Sequence, residues 1–362
     1  KGGQALMPVA IQCGQDARTN PMFLRPTPGN TAAFWSWQMA KNVVQAADFN
    51  YHEMFVHLGR THLVSEAFSV ATQRCLAPSH PLHVLLVPHF EGDIWINLLA
   101  AITILSPGTF GDIIEGPPLK AMQSGAVQDR RAFDFYAGMP AEDFRARGVD
   151  DSAGLPEYPY RDDALLLWNA ISQWVQDYIA LYYRSDNDVI NDQELRAWTQ
   201  ELINKGQVMG FKPITSVAQL NSVISMVIFT ASAQHAAVNF PQQSVMTYPP
   251  LSAAVSRTPP PTQTSGATQA DWSRQLPGTL VTFAQYNFLQ VLGGVHYRPL
   301  GDYRHNRFPY APVLTDPRVA PALQRFKASL AQIESTIQAR NTTRSHPYPY
   351  LLPSLIPTST NI

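Results

Sequence analysis

The stretch YHEMFVHLGRTHLVSE, from Tyr51 to Glu66, places three histidines within sixteen residues, and a second stretch, QHAAVNF, adds His235 and Asn239. His235 and Asn239 are four apart and share one face of an α-helix, about 40° from each other. His52 and His57 are five apart, which on an ideal α-helix separates them by about 140°. A π-type turn, wider by one residue, brings such a pair to within roughly 50°. Imidazole nitrogens and an amide oxygen make a neutral, borderline-soft donor set, suited to iron, manganese or zinc rather than calcium. Iron in such a set calls for an anion, and the chain ends in one. Ile362 carries the terminal carboxylate at the end of an apolar, proline-stiffened tail; inside a core, that otherwise expensive charge becomes a ligand.

Positioning these donors requires long buried helices. From Ala32 to Arg74 there is no proline and one glycine, Gly59, while apolar residues recur at helical spacing. This predicts one long buried helix with an irregularity. ITSVAQLNSVISMVIFTASAQHAAVNF is nearly uncharged, the pattern of a helix at a protein's centre. DDALLLWNAISQWVQDYIALYY is a further helix whose Asp162 and Asp163 suit an N-terminus. NDQELRAWTQELIN is amphipathic, with Asn191 as its expected cap. Helices are also expected from Ile94 to Leu105, Val281 to Leu292 and Ala320 to Arg340. ALMPVAIQCG reads as a short initial strand, and the prolines of the last segment exclude regular helix there. No internal repeat is visible, and a single domain over residues 1–362 accounts for the pattern, with a mainly α fold.

Composition narrows the partners. Lys plus Arg total 26 and Asp plus Glu 27, so no global field draws the chain to nucleic acid or an anionic bilayer. Apolar runs are interrupted before bilayer length, which argues against a transmembrane segment and leaves peripheral membrane contact open. Cys13 and Cys75 read as two buried thiols rather than a disulfide. The compartment, cytoplasmic or secreted and periplasmic, stays open; Asn341-Thr342-Thr343 is a glycosylation acceptor pattern too short to decide it.

At the two histidine stretches the chain resembles the catalytic domain of lipoxygenases, non-haem iron enzymes that oxygenate polyunsaturated fatty acids. The resemblance rests on His52, His57, His62 and Glu66, on ASAQHAAVNFPQ and on the terminal isoleucine. It extends through LMPVAIQ, HPLHVLLVPHF, INLLAAI and LPEYPYRDDALLLWNAI, and so nearly the whole chain. It implies a large helical catalytic fold with long central helices carrying one iron, manganese being the less favoured metal. The ligands implied are His52, His57, His235, Asn239 and the Ile362 carboxylate. His62 is implied to stand behind the ligands, and Gln242 to orient Asn239 by hydrogen bonding.

The implied activity is insertion of O2 into fatty acids with a cis,cis-1,4-pentadiene, of the linoleate, linolenate or arachidonate class, after hydrogen abstraction by a ferric hydroxide. No side-chain acid or nucleophile is required. A long acyl chain needs an apolar groove, for which Phe55, Leu99, Ile104, Leu105 and Ile228 are candidates. Ala100 falls where the family carries alanine in S-specific and glycine in many R-specific enzymes, which implies an S-configured hydroperoxide. A hydroperoxide-converting relative with the same ligands, or a non-catalytic lipid-binding relative, are the alternatives.

Some positions depart from the family pattern. Val84, Ala101 and Pro241 replace a usual lysine, arginine and glycine, and ILSPGTFGDIIE is one residue longer. The helical region and β-sandwich domain that usually precede the first strand are absent from these 362 residues. The reading taken is a cleaved chain that stays with an N-terminal fragment of its own precursor, since a missing half would leave an apolar face exposed.

Overall fold

The computed structural model describes residues 7–152 and 154–362. β1 (Ala10–Gln12) and β2 (Met22–Leu24) pair antiparallel with Ile11 opposite Phe23. Phe23 is buried with Trp37 and Ala40, which anchors this hairpin to the first helix. The initial strand expected from ALMPVAIQCG is thus β1, while its Ala5 and Leu6 lie outside the described residues.

α1 (Thr31–Tyr51) starts where the Asn30 side chain accepts the Ala33 N–H at 3.3 Å. It runs directly into a π-helical stretch, His52–His62, and then into α2 (Leu63–Cys75). The expected irregularity therefore spans all three histidines. After α3 (Pro81–Leu86), α4 (Asp93–Thr103) and α5 (Phe110–Ile114) come α6 (Leu119–Ala132) and α7 (Pro140–Ala146). α8 (Pro159–Ile179), α9 (Asp186–Asn191) and α10 (Gln193–Asn204) follow. Proline opens α3, α7 and α8, where its missing N–H has no partner to lose. The cap of α10 is Asp192, which accepts the Leu195 N–H at 2.9 Å, and not Asn191 as expected. Asn191 instead completes α9, whose start is set by a Ser185–Asp188 capping box.

α11 (Val217–Phe229), capped by Ser216, passes through a π turn at Thr230–Gln234 into α12 (His235–Asn239). α13 (Gln269–Gln275), α14 (Thr279–Leu292) and α15 (Ala320–Asn341) complete the set. α8 packs against both α11 and α15. Trp174 stacks on Phe326 with ring centroids 5.7 Å apart, and Ile171, Val175, Ile224 and Ile228 are fully enclosed in the same core.

Two helical runs, Pro81–Thr103 and Val217–Met246, are long and apolar enough to cross a membrane, contrary to the expectation that apolar runs stop short of bilayer length. The second is 89% buried inside the fold, so its apolar character is accounted for by the core. The first contains a 3₁₀ segment, Val87–Phe90, and a left-handed Gly92 (φ 80°), which divide it into α3 and α4. Both cysteines are free and half-buried.

The C-terminal tail threads back into the core without regular structure, held by neutral hydrogen bonds. Thr358, Ser359 and Thr360 are fully buried. His89 Nδ1 meets the Thr358 carbonyl at 2.8 Å, Ser359 donates to the Glu91 carbonyl at 2.9 Å, and Thr360 donates to Asp93 at 2.6 Å. Burial lowers the His89 pKa to about 4, partly offset by the Thr358 carbonyl.

At the foot of α15 a buried ion cluster joins the helix to α8. Fully buried Asp163 accepts from Arg344 at 2.6 and 2.9 Å and from Arg340 at 2.8 Å. Removing the carboxylate strands the buried Arg344 guanidinium. Asp163→Ala is therefore expected to lower unfolding stability by about 3–5 kcal/mol in a denaturant titration; a loss under about 1 kcal/mol would show that the cluster is solvated rather than buried.

Candidate metal centre

The π-helical stretch and α12 bring His57, His62 and His235 together, all three buried, with one ring nitrogen of each within 4.8 Å of the others. His57 Nε2 and His62 Nε2 are 3.2 Å apart. Two imidazoles this close both aim a nitrogen at the same point, which is the arrangement a shared cation satisfies. His62 Nδ1 is held by Asn97 Oδ1 of α4 at 2.8 Å, and Asn97 donates in turn to Glu66 at 2.8 Å. His57 Nδ1 faces Glu53 at 3.2 Å. In both rings the outward nitrogen is occupied, so the inward one is fixed in direction.

His235 is wholly buried, and neither ring nitrogen has a hydrogen-bond partner of normal geometry among the described residues. Burial, then the adjacent His62 and His57, push it well below the ordinary imidazole pKa; the nearby backbone of Ile362 acts the other way. Burial and then His57 hold His62 down at about 3, against the opposing Asn97 hydrogen bond. His62 and His235 are thus neutral at physiological pH, the form that ligates metals. An unpartnered, neutral imidazole beside two others in an apolar core fits a bound transition metal.

This arrangement corrects two assignments. His52 is outside the triplet. Its ring centroid is 6.0 Å from that of His57, and its Nδ1 lies 3.3 Å from Glu53. Burial opposes protonation of His52, but Glu53 and then Asp48 hold its pKa above the usual value. Glu53 itself, although burial works to raise it, is held at about 2 by His52 and His57. His62, expected behind the ligands, sits in the triplet. The reason is geometric: in a π-helix each five-residue step turns through roughly 50°, so two of three equally spaced histidines can converge and the third swings away. Contact with α12 selects His57 and His62.

Asn239 lies one turn beyond His235, fully buried. Gln242 donates to its Oδ1 at 2.8 Å and its carbonyl at 3.0 Å, while Asn239 Nδ2 donates to the Leu292 carbonyl at 3.1 Å. Pro241 leads into a π turn, Gln242–Met246, and does not prevent this contact. Ile362 borders the same space as His57 and His62.

That space is a cavity of about 430 Å³. Leu99, Ala100, Ile104 and Leu105 line it, together with Phe49, Ile96, Ile114, Phe288 and Leu292. Two groove candidates are elsewhere. Ile228 points into the main core between α8 and α11, and Phe55 packs with Met54, Leu119 and Met122 against α6. Both are turned away because their helices are buried on more than one face, so apolar identity does not by itself say which face meets a cavity. The sequence reading missed Glu53, Asn97 and Glu115, and expected α14 as a helix without placing it at the cavity; Glu53 and Asn97 stand inside the motif segments, where a polar residue in an apolar helix was the available signal.

The family model for lipoxygenase matches residues 2–347. The chain is 57% identical over 365 residues to the linoleate 9/13-lipoxygenase of Pseudomonas aeruginosa, covering all of this chain and 53% of that protein. It is 34% identical to human polyunsaturated fatty acid lipoxygenase ALOX15B, over 99% of this chain and 52% of the relative. A coral 8R-lipoxygenase crystal structure superposes with TM-score 0.90 at 31% identity, over 98% of this chain and 53% of that one. A calcium-dependent 11R-lipoxygenase superposes with TM-score 0.87 at 32% identity, over 98% of this chain and 52% of that one. The chain therefore spans about half the length of the relatives it matches. With the histidine triplet on central helices and a match along nearly all its length, the chain belongs to the lipoxygenase family.

Proposed function

We propose that this chain is the catalytic part of an iron dioxygenase that converts polyunsaturated fatty acids with a cis,cis-1,4-pentadiene into hydroperoxides. The observation that carries the reading is the buried histidine triplet, two of whose members, His57 and His62, line an apolar cavity. His57, His62 and His235, with Asn239 and the Ile362 carboxylate, are the residues that would hold the metal. A bound iron supplies one-electron redox chemistry suited to a weak bis-allylic C–H bond.

The remaining work belongs to the chain's own residues. The Leu99, Ile104 and Leu105 side chains shed water on taking up an acyl chain and keep its pentadiene beside the histidines. Asn97 and Glu53 fix the ring directions of His62 and His57 from behind. Gln242 does the same for the Asn239 amide. The Ala100 methyl narrows one path for O2 to the chain, which supports an S-configured product.

Partners under this reading are the fatty acid, O2 and an N-terminal part of the same precursor. The relatives' additional length supports the last, as does the exposed apolar stripe Trp95, Leu98 and Ile102 on α4.

Purified protein is expected to hold close to one iron and to form conjugated diene from linoleate. Stoichiometric iron without diene would overturn the activity; absence of iron from folded protein would overturn the metal site. His62→Gln is expected to abolish iron retention by elemental analysis, whereas His52→Gln retains it. The reverse pattern would restore His52 to the ligand set. Ala100→Gly is expected to move product chirality toward R, read by chiral chromatography; an unchanged ratio would remove Ala100 from stereocontrol.

A further inference from the structure

The cavity wall runs from exposed Leu99, Phe110 and Val291 to the buried residues Phe49, Ile114 and Leu289. Beside the buried ones stands a half-buried group unlike its apolar neighbours. Glu115 contributes to the wall immediately after α5, and its Oε2 is inaccessible to solvent and lacks a hydrogen-bond partner among the described residues. The backbone holds it there from both sides. Its own N–H donates to the Gly111 carbonyl at 3.2 Å, and the next N–H, of Gly116, donates to Asn50 Oδ1 at 3.3 Å. Asn50 is itself tied to the Ala254 carbonyl at 2.9 Å.

A buried polar atom without a partner is destabilising, and natural proteins keep few of them. Burial, and then the nearby charge of Glu53, raise the Glu115 pKa to about 8. At neutral pH the side chain is therefore an uncharged acid, with one O–H to donate and oxygens to accept. Glu53 stands on the same wall, and the lining includes no lysine or arginine. An anionic head group brought to this end would meet two carboxyl side chains and no basic side chain to pair with. An uncharged oxygen meets a donor and an acceptor.

We propose that Glu115 is a specificity-determining residue, forming a polar subsite that takes a hydroxyl or hydroperoxyl oxygen carried on the acyl chain. This rests on the reading of the cavity as an acyl-chain site. The protein would then hold oxygenated long-chain acids more tightly than unsubstituted ones, in an orientation that leaves the carboxylate away from Glu53 and Glu115.

The test uses ligands with no oxidisable pentadiene, so that binding is read apart from turnover. Octadecanoate and its positional monohydroxy isomers are titrated into the full chain at neutral pH by calorimetry. At least one isomer is expected to bind about three- to tenfold more tightly than octadecanoate. Glu115→Gln, which keeps a donor and an acceptor, is expected to retain that preference, and Glu115→Leu to lose it while still binding octadecanoate. Octadecanoate binding with no isomer preferred, or a preference that survives Glu115→Leu, overturns the role of Glu115 alone. Failure of octadecanoate and every isomer to bind overturns the acyl-chain cavity and the subsite together.

Discussion

Three imidazoles are buried together in an apolar interior with the half-buried chain terminus beside them, and most of the surrounding architecture answers that constraint. Polar groups taken out of water must be paired, and a ring such as His235 with no partner of its own is tolerable only if something else satisfies it. A metal does so for several rings at once. Desolvation, which would be a penalty for charged histidines, here keeps His62 and His235 neutral and ready to ligate.

The helices bend their own rules to meet this demand. Both helices that carry the triplet depart from α geometry, one over His52–His62 and the other over Thr230–Gln234 just before His235. A π segment weakens backbone hydrogen bonding and persists where the surrounding structure requires it. Here it turns residues five apart toward one point, an orientation that an α-helix denies them. The tail meets a related difficulty in another way. It has no helix or extended sheet to satisfy its backbone, so His89, Ser359 and Thr360 provide neutral hydrogen bonds on the way in, and the only charge delivered to the centre is the one at its end.

Electrostatics then separates the two sides of the site. Glu53 is a carboxylate because two histidines face it, whereas Glu115, with no such partner, is an acid raised by burial. Residues of one chemical type thus have opposite protonation states on the same cavity wall, and environment is what sets them apart. The apolar remainder of the wall has no means of distinguishing one long chain from another except by length and shape, so these few polar groups carry the chemical selectivity.

By itself the sequence determined the mainly helical fold, the long central helices and the two segments that hold the metal-binding side chains. It also marked the terminal carboxylate, while the Gln242 contact to Asn239 was implied only by the family resemblance. The helices and their side-chain placement are consequences of local spacing and composition, which a single chain segment expresses on its own. Only the tertiary structure decided which histidines converge. His52, His57 and His62 are equally spaced, and nothing within that segment distinguishes the first from the third; the position of α12 against the π stretch does. The same holds for the cavity wall, where Ile228 and Phe55 were as apolar as Leu99 and Ile104. Which face of a buried helix meets a cavity, and which carboxyl loses its water there, depends on what packs opposite, and that partner is distant in sequence.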